Sequence, residues 1–303
     1  MSRVYSSVSQ IDFEISGLET VPMPKGVLLA RPTHFDVAYE INPYMIGKIG
    51  TSDTAEAIRQ WEAMRDGFRK VGLDVYEMDG QEGLPDMVFT ANQALPFPDR
   101  NGGKKAVLAV MCYEQRQGEI PFAEQWFRRN GYEVIRLEIN GASPGEPLYF
   151  EGAGDAVWHQ GRRLIWGGYG VRSTRPAFER IAELLDVPVV LLELHDERFY
   201  HLDTCFCCLD EESVLVHPPA LAGDSMAKIR RLFNNVIEAD PREAETLLAA
   251  NAVSVNGTDL FLSKGSVKTA ARLTEHGYRV HEIDTSEFQK SGGSVYCMKL
   301  MVW

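Results

Sequence analysis

The sequence predicts an α/β protein in which one short unit repeats within a single domain. Three observations carry that expectation. An amphipathic stretch, a glycine or turn, and then a short β-branched strand recur roughly every 40 to 60 residues, a period that suits a solenoid, a propeller or another closed array. No Gly/Ser/Pro-rich linker or low-complexity run divides the 303 residues. A hydrophobic content of 45% with 24% charged residues belongs to a folded chain able to bury a sizeable core.

The clearest copy of the unit runs from Thr54 to Met78. Ile58, Trp61, Met64, Phe68 and Val71 fall at helical spacing, Gly72 stands where a C-cap is expected, and LDVYEM follows. Phe122 to Leu137 repeats it with Trp126, Phe127, Gly131 and YEVIRL. Phe178, Ile181, Leu184 and Leu185 lead into VPVVLLEL, and Val267 to Ile283 brings Gly277 and YRVHEI. A fifth copy, between Asp224 and Leu262, carries two helical pieces, MAKIRRLF and PREAETLLAA, ahead of SVNGTDLFL.

Charge and composition narrow the function. There are 43 acidic against 31 basic side chains, a formal net charge of −12. That argues against nucleic acid, which needs clustered cations, and suits either a solvating surface or the attraction of a small cation. The N-terminal MSRVYSSVSQIDFEISG lacks the apolar core of a signal peptide, and no run reaches the ~18 apolar residues of a membrane span. Five cysteines in a chain of this length do not make a disulfide framework. A cytoplasmic protein without a membrane partner is expected.

Four segments place polar groups beside apolar strands, where an unpaired polar group is costly. In HLDTCFC, read as a strand, His201 and Asp203 share one face with Cys205 and Cys207 beyond them. A satisfied core histidine is the bland reading. Zinc on His201, Cys205, Cys207 and Cys208 is a poor one, because C-x-C-C on a strand splays its thiols. In YFEGAGDAVW, Glu151 and Asp155 sit among small residues that would let a ligand approach the backbone. In DMVFTANQAL, Asn92 ends an apolar run that begins after Asp86 and reads as a strand, so Asn92 serves equally as a strand-end turn residue. In SGGSVYCMKLMVW, Cys297 precedes an apolar strand; buried cysteine is common, and a nucleophile would need a partner that favours its thiolate.

FEGxGD, then HLD, then SGG with a cysteine four residues on, taken in this order, resemble the guanidine-modifying superfamily of arginine deiminase, dimethylarginine dimethylaminohydrolase and the amidinotransferases. RPTHFDVAYEINPYM, VFTAN, QRQGE and GGYGVRS are similar to its arginine dihydrolase branch. The resemblance implies a pentein, an α/β propeller of five ββαβ units, as a single domain over residues 1–303 with an N-terminal extension over 1–25. It implies Cys297 as nucleophile, His201 as acid/base and Glu151 as the acid that orients it. It further implies Asp203 as a guanidinium contact, Arg116 and Arg172 as cations for the substrate carboxylate, and Asn42 and Asn92 as polar pocket contacts. Asp155 joins the substrate-binding set, although Ala153 interrupts the glycine-rich acidic motif of the deiminases.

The expected substrate is arginine or a derivative, and the chemistry calls for no metal and no cofactor. A homo-oligomer is compatible with this family. Asn92 stands where the deiminases carry an aspartate, which ranks arginine dihydrolase ahead of citrulline hydrolase, deiminase and dimethylarginine hydrolase. An amidinotransferase ranks lower, and a non-catalytic pentein that serves as a binding module is the alternative of another class.

Overall fold

The computed structural model describes residues 4–137 and 147–303. Its architecture is α/β, with five small sheets that repeat one pairing scheme. In each, a first strand runs antiparallel to a second, and a helix carries the chain from the second to a parallel third, as a parallel pair requires. One unit holds Ala94–Pro98, Lys104–Leu108, helix Ile120–Arg129 and Glu133–Ile135. The next holds Ala156–Trp158, Ile165–Tyr169, helix Arg175–Leu185 and Val189–Leu194. Phe206–Cys208, Ser213–Val216, helix Ser225–Leu232 and Asn235–Glu238 follow, then Val253–Ser254, Asp259–Ser263, helix Val267–Glu275 and Arg279–Ile283.

The remaining unit joins the two ends of the chain. Leu300–Val302 pairs antiparallel with Gly26–Ala30, which leads through helix Thr54–Lys70 to the parallel strand Asp74–Met78. Asp53 caps that helix by accepting from the Glu56 amide, and Gly72, at φ +90°, turns the chain out of it. Trp61, Met64 and Phe68 are buried, with the Phe68 ring 4.6 Å from Phe261 of the adjacent unit. Glycines at positive φ also follow the helices at Gly131 and Gly277, whereas Asp186 takes the left-handed role after Arg175–Leu185.

Three expectations change. The untidy copy between Asp224 and Leu262 is the end of one unit and the start of the next: Ser225–Leu232 feeds Asn235–Glu238, while Pro241–Leu247 leads toward the hairpin of Val253–Ser254 and Asp259–Ser263. HLDTCFC is not one strand, because Leu202–Thr204 forms a tight 3-10 turn and only Phe206–Cys208 pairs. DMVFTAN is likewise two such turns, Pro85–Val88 and Thr90–Asn92, and Asn92 precedes a strand instead of ending one. These segments look like strands because they are buried, and burial selects the same apolar residues for a turn.

The described part of the N-terminal extension packs on the body. Val4–Tyr5 pairs with Val189–Val190, and Trp303 Nε1 donates to the Pro22 carbonyl at 2.7 Å. The first strands approach one another: Leu300–Val302 lies against Ala94–Pro98, and Phe206–Cys208 against both Ala156–Trp158 and Val253–Ser254. No helix among the described residues is long and apolar enough to cross a membrane.

Closure of the chain rests on Leu300, fully buried opposite Leu28. Leu300→Ala is expected to cost about 2–5 kcal/mol of unfolding free energy in a denaturant titration, as for other buried leucines. Met301→Ala, on the half-exposed face of the same strand, should cost clearly less; equal losses would remove the closure from its place in the fold.

Candidate active site

Each unit's first strand is approached through a tight turn, and each approach carries a buried polar residue. Asn92 lies just before Ala94–Pro98, Glu151 before the turn Gly152–Asp155 that opens into Ala156–Trp158, and His201 and Asp203 before Phe206–Cys208. Asn251 precedes Val253–Ser254, and Cys297 precedes Leu300–Val302. Because the first strands converge, these residues meet.

The His201 Nε2 stands 2.5 Å from Glu151 Oε2, and its Nδ1 faces Asn92 Nδ2 at 3.2 Å. The Asn92 amide donates to Nδ1, so the imidazole is the neutral Nε2–H tautomer with its Nδ1 lone pair held by Asn92. Asn92 Oδ1 in turn accepts from Arg116 Nη1 at 2.8 Å, and Arg116 is ion-paired with Glu119 at 2.7 Å. Small residues permit this packing: a Cβ at Gly154 would collide with the Asn92 amide. The glycines of EGAGD therefore make room for Asn92 and His201.

Across the site, Cys297 Sγ lies 3.4 Å from Asp203 Oδ2 and accepts from Asn251 Nδ2 at 3.1 Å. The same Asn251 nitrogen donates to the Asp203 carbonyl, and its oxygen accepts from the Tyr296 and Cys297 amides. One residue thus fixes both the thiol and its neighbour. A small cavity, about 10 Å³, opens among Ile41, Asn42, Asp86, Phe89, Asn92, Arg116, Arg172, Tyr200, Ser291 and Cys297. Outside it lies a larger one of about 650 Å³, and Ile41, Asn42, Arg172 and Tyr200 line both.

The electrostatics divide in two. Burial works against the Glu151 carboxylate, but Arg172, His201 and Arg116 together outweigh it and hold the carboxyl well below its usual range. Burial pushes His201 down to about 4 against the pull of Glu151, which leaves the ring neutral at pH 7. On the other side charge is short of partners. Burial raises Asp203 to about 7 and Asp86 to about 6, and it raises the Cys297 thiol well above its ordinary value. Asp203 Oδ1 and Asp86 Oδ1 are both buried without a hydrogen-bond partner among the described residues, whereas Asp86 Oδ2 accepts from Tyr39 Oη.

Most of the residues expected from the sequence converge here, with different postures. Arg172 bonds Glu151 through Nη1 at 3.2 Å and the Ile41 carbonyl through Nη2, between the rings of Tyr113 and Tyr200. Asn42 ties the Ser291 carbonyl to the Tyr44 amide and so holds the SGG segment beside the cavity. Asp155 is a correction. It does not line the cavity; Oδ2 accepts from Ser173 at 2.6 Å and Oδ1 from the Leu202 amide at 3.0 Å, which pins the turn after His201 from behind. Cys205, Cys207 and Cys208 lie in the core, and no cluster of three or more His, Cys, Asp or Glu among the described residues could hold a metal.

Sequence reading missed Asn251 and gave Asp86 no role. The repeat held a signal for the first, since Asn251 stands two residues before its strand, as Asn92 does before its own. Nothing in LPDMV distinguishes Asp86 from a turn aspartate.

Comparison with known proteins matches residues 36–302 to the family described as N,N dimethylarginine dimethylhydrolase, eukaryotic. The chain is 38% identical over 285 residues to the bifunctional arginine dihydrolase/ornithine cyclodeaminase ArgZ of Synechocystis, covering 91% of this chain and 37% of that one. This chain thus spans little more than a third of that relative. It is 34% identical over 282 residues to an N(G),N(G)-dimethylarginine dimethylaminohydrolase of Mycobacterium tuberculosis, covering 93% and 87%. The substrate-bound crystal structure of the ArgZ N-terminal domain superposes with a TM-score of 0.84 at 37% identity, covering 91% of this chain and 97% of that domain. Buried cysteine, histidine, carboxylates and asparagines drawn from five repeated units, and a family match over nearly the whole length, agree: the chain belongs to the N,N-dimethylarginine dimethylhydrolase family of hydrolases.

Proposed function

We propose that this protein is an arginine dihydrolase, releasing ornithine, carbon dioxide and two molecules of ammonia, on a single pentein domain whose five units surround the site about a pseudo-fivefold axis. The observation that carries the reading is a pair of carboxylate oxygens unpartnered among the described residues, one on Asp86 in the cavity wall and one on Asp203, which lies against the Cys297 sulfur that lines the same cavity. Lys299 and Arg116 act on Asp203, and Arg116 and Arg172 on Asp86, but burial outweighs them. Two buried acids without an ion pair among the described residues call for a ligand with two positive groups, a guanidinium by Asp203 and an α-ammonium by Asp86. Arg116 and Arg172, in the same wall, answer the carboxylate of an amino acid. The inner cavity holds little more than one water as it stands, so the segment around Ile41 and Asn42 has to give way for substrate.

The chemistry follows from these positions. A guanidinium on Asp203 keeps that carboxylate ionised and favours the Cys297 thiolate, which Asn251 already donates to. Substrate draws the Asn92 amide away from His201 Nδ1, the thiol proton passes to the nitrogen so freed, the sulfur attacks the guanidinium carbon, and His201 hands its proton to the departing ammonia. Neutral again, His201 deprotonates water, which displaces the sulfur and leaves citrulline. A second attack on the ureido carbon expels a second ammonia. Water then releases a carbamate that breaks into carbon dioxide and ornithine. Glu151 holds the imidazole throughout and stabilises its cation.

Asn92 decides whether the second round runs. Its amide offers a neutral partner to a ureido oxygen, whereas a carboxylate would oppose acceptor to acceptor at a cost of roughly 1–3 kcal/mol. Product analysis by mass spectrometry should find ornithine and two ammonia per arginine for the wild type. Asn92→Asp should accumulate citrulline with one ammonia. A wild type that stops at citrulline is a deiminase, and one that acts only on dimethylarginine sinks the reading.

Substrate binding should release protons near pH 6–7. In the empty site burial keeps Asp203 partly protonated up to about 7 and Asp86 up to about 6. Incoming cations favour the ionised forms, so both values fall and protons leave; His201, already neutral there, does not offset this. Calorimetry of arginine binding to Cys297→Ser, in buffers of differing ionisation enthalpy, should report release at pH 6.5 that fades by pH 9. Net uptake would contradict it.

Asn251→Ala should slow alkylation of Cys297 by iodoacetamide about tenfold, since the thiolate loses its one side-chain donor. It should also cost about 1–3 kcal/mol of stability through the two orphaned amides. Unchanged alkylation would reduce Asn251 to a structural role.

A further inference from the structure

Behind the site lies a second cavity, on the far side of the Tyr296–Lys299 turn. It measures about 80 Å³ and is walled by prolines and large apolar side chains, among them Pro24, Pro96, Trp158, Met301 and Trp303. Lys299 also lines it, only 2% exposed, with neither a hydrogen bond nor an ion pair among the described residues. Its ammonium stands 3.2 Å from the centroid of the Tyr296 ring, and the Tyr296 hydroxyl likewise has no partner among them. The other polar groups in the wall are satisfied: Gln160 donates to the Cys208 and Ser254 carbonyls, Ser254 to that of Leu209, and Trp303 to that of Pro22.

Asp203 acts on this ammonium but makes no ion pair with it among the described residues, and a buried cation so incompletely answered is an expensive thing for a fold to keep. A ring face offsets only part of that cost. An anion in the cavity would offset the rest, with the Tyr296 hydroxyl as a second donor, and the apolar walls ask that the anion carry a hydrocarbon body. At roughly 10–15 Å³ per water-sized atom the space takes about five to eight non-hydrogen atoms. We infer that this cavity is a second ligand site, taking a short-chain aliphatic monocarboxylate of about four to six carbons with its carboxylate on Lys299 and Tyr296. The site is distinct from the catalytic one. It faces the Cys297 segment from behind, and its occupancy does not depend on which guanidine the enzyme hydrolyses.

The test is calorimetric titration of the full chain with hexanoate and, separately, with hexan-1-ol. Hexanoate should bind one to one, at least tenfold more tightly than the alcohol. Lys299→Met should weaken hexanoate at least tenfold, and Met301→Trp, which fills the cavity from its half-exposed rim, should do the same should the buried substitution compromise folding. Arg172→Ala should leave hexanoate binding within twofold, because the carboxylate does not reside in the active site. The inference fails if the wild type shows no saturable hexanoate binding, if hexan-1-ol binds equally well, or if Arg172→Ala abolishes the signal.

Discussion

The pairing of Leu300–Val302 with Gly26–Ala30 is the constraint on which the rest depends. The chain begins its first unit with a second strand and supplies the missing first strand only at the far end of the described residues. Until that strand docks, one sheet has two strands instead of three and Cys297 has no fixed place. Once it docks, the turn ahead of it sets the sulfur against Asp203 and Asn251, which arrive on two other units. Position is therefore a property of the whole ring of contacts, and no single segment carries a site of its own.

Charge is distributed across that ring unevenly. On one side Arg172, Glu151, His201, Asn92, Arg116 and Glu119 form a continuous run of ion pairs and hydrogen bonds, each group answered by the next. On the other side Asp203 and Asp86 each keep an oxygen unanswered. The first side is preorganised and holds the imidazole in one tautomer. On the second, burial holds Asp203 at about 7 and Asp86 at about 6, between protonation states near neutral pH, and in the proposed mechanism binding of a cation and activation of the thiol are one event.

The helices, the strands that follow them and the glycine turns were legible because hydrophobic period and C-cap chemistry are local signals. Cys297, His201 and Glu151, the proposed catalytic residues, were legible only as a constellation of short motifs; no one of them outweighs a bland reading. What escaped has physical reasons. The turns at VFTAN and HLDTC are buried, so their composition mimics strands. Asp155 stands in a conserved-looking acidic pattern but faces away from the cavity, a matter of one turn of backbone. Asn251 has no motif around it and is revealed by its place relative to a strand. Lys299 in CMKLMVW has no motif around it, and its burial follows from the turn that precedes Leu300–Val302.

The wide spacing of the site residues along the chain bears on how the enzyme comes into being. Three contacts at the centre of the site join residues 46 to 109 positions apart: Asn251 to Cys297, Asp203 to Cys297 and Asn92 to His201. Contacts of such long range form slowly, since the loops between them must close first. Partly folded chains can hold native helices and hairpins and still present no organised nucleophile. Before the last docking step Cys297 is an ordinary exposed thiol, open to any electrophile; docking buries it and raises its pKa, so the finished fold is what guards the sulfur.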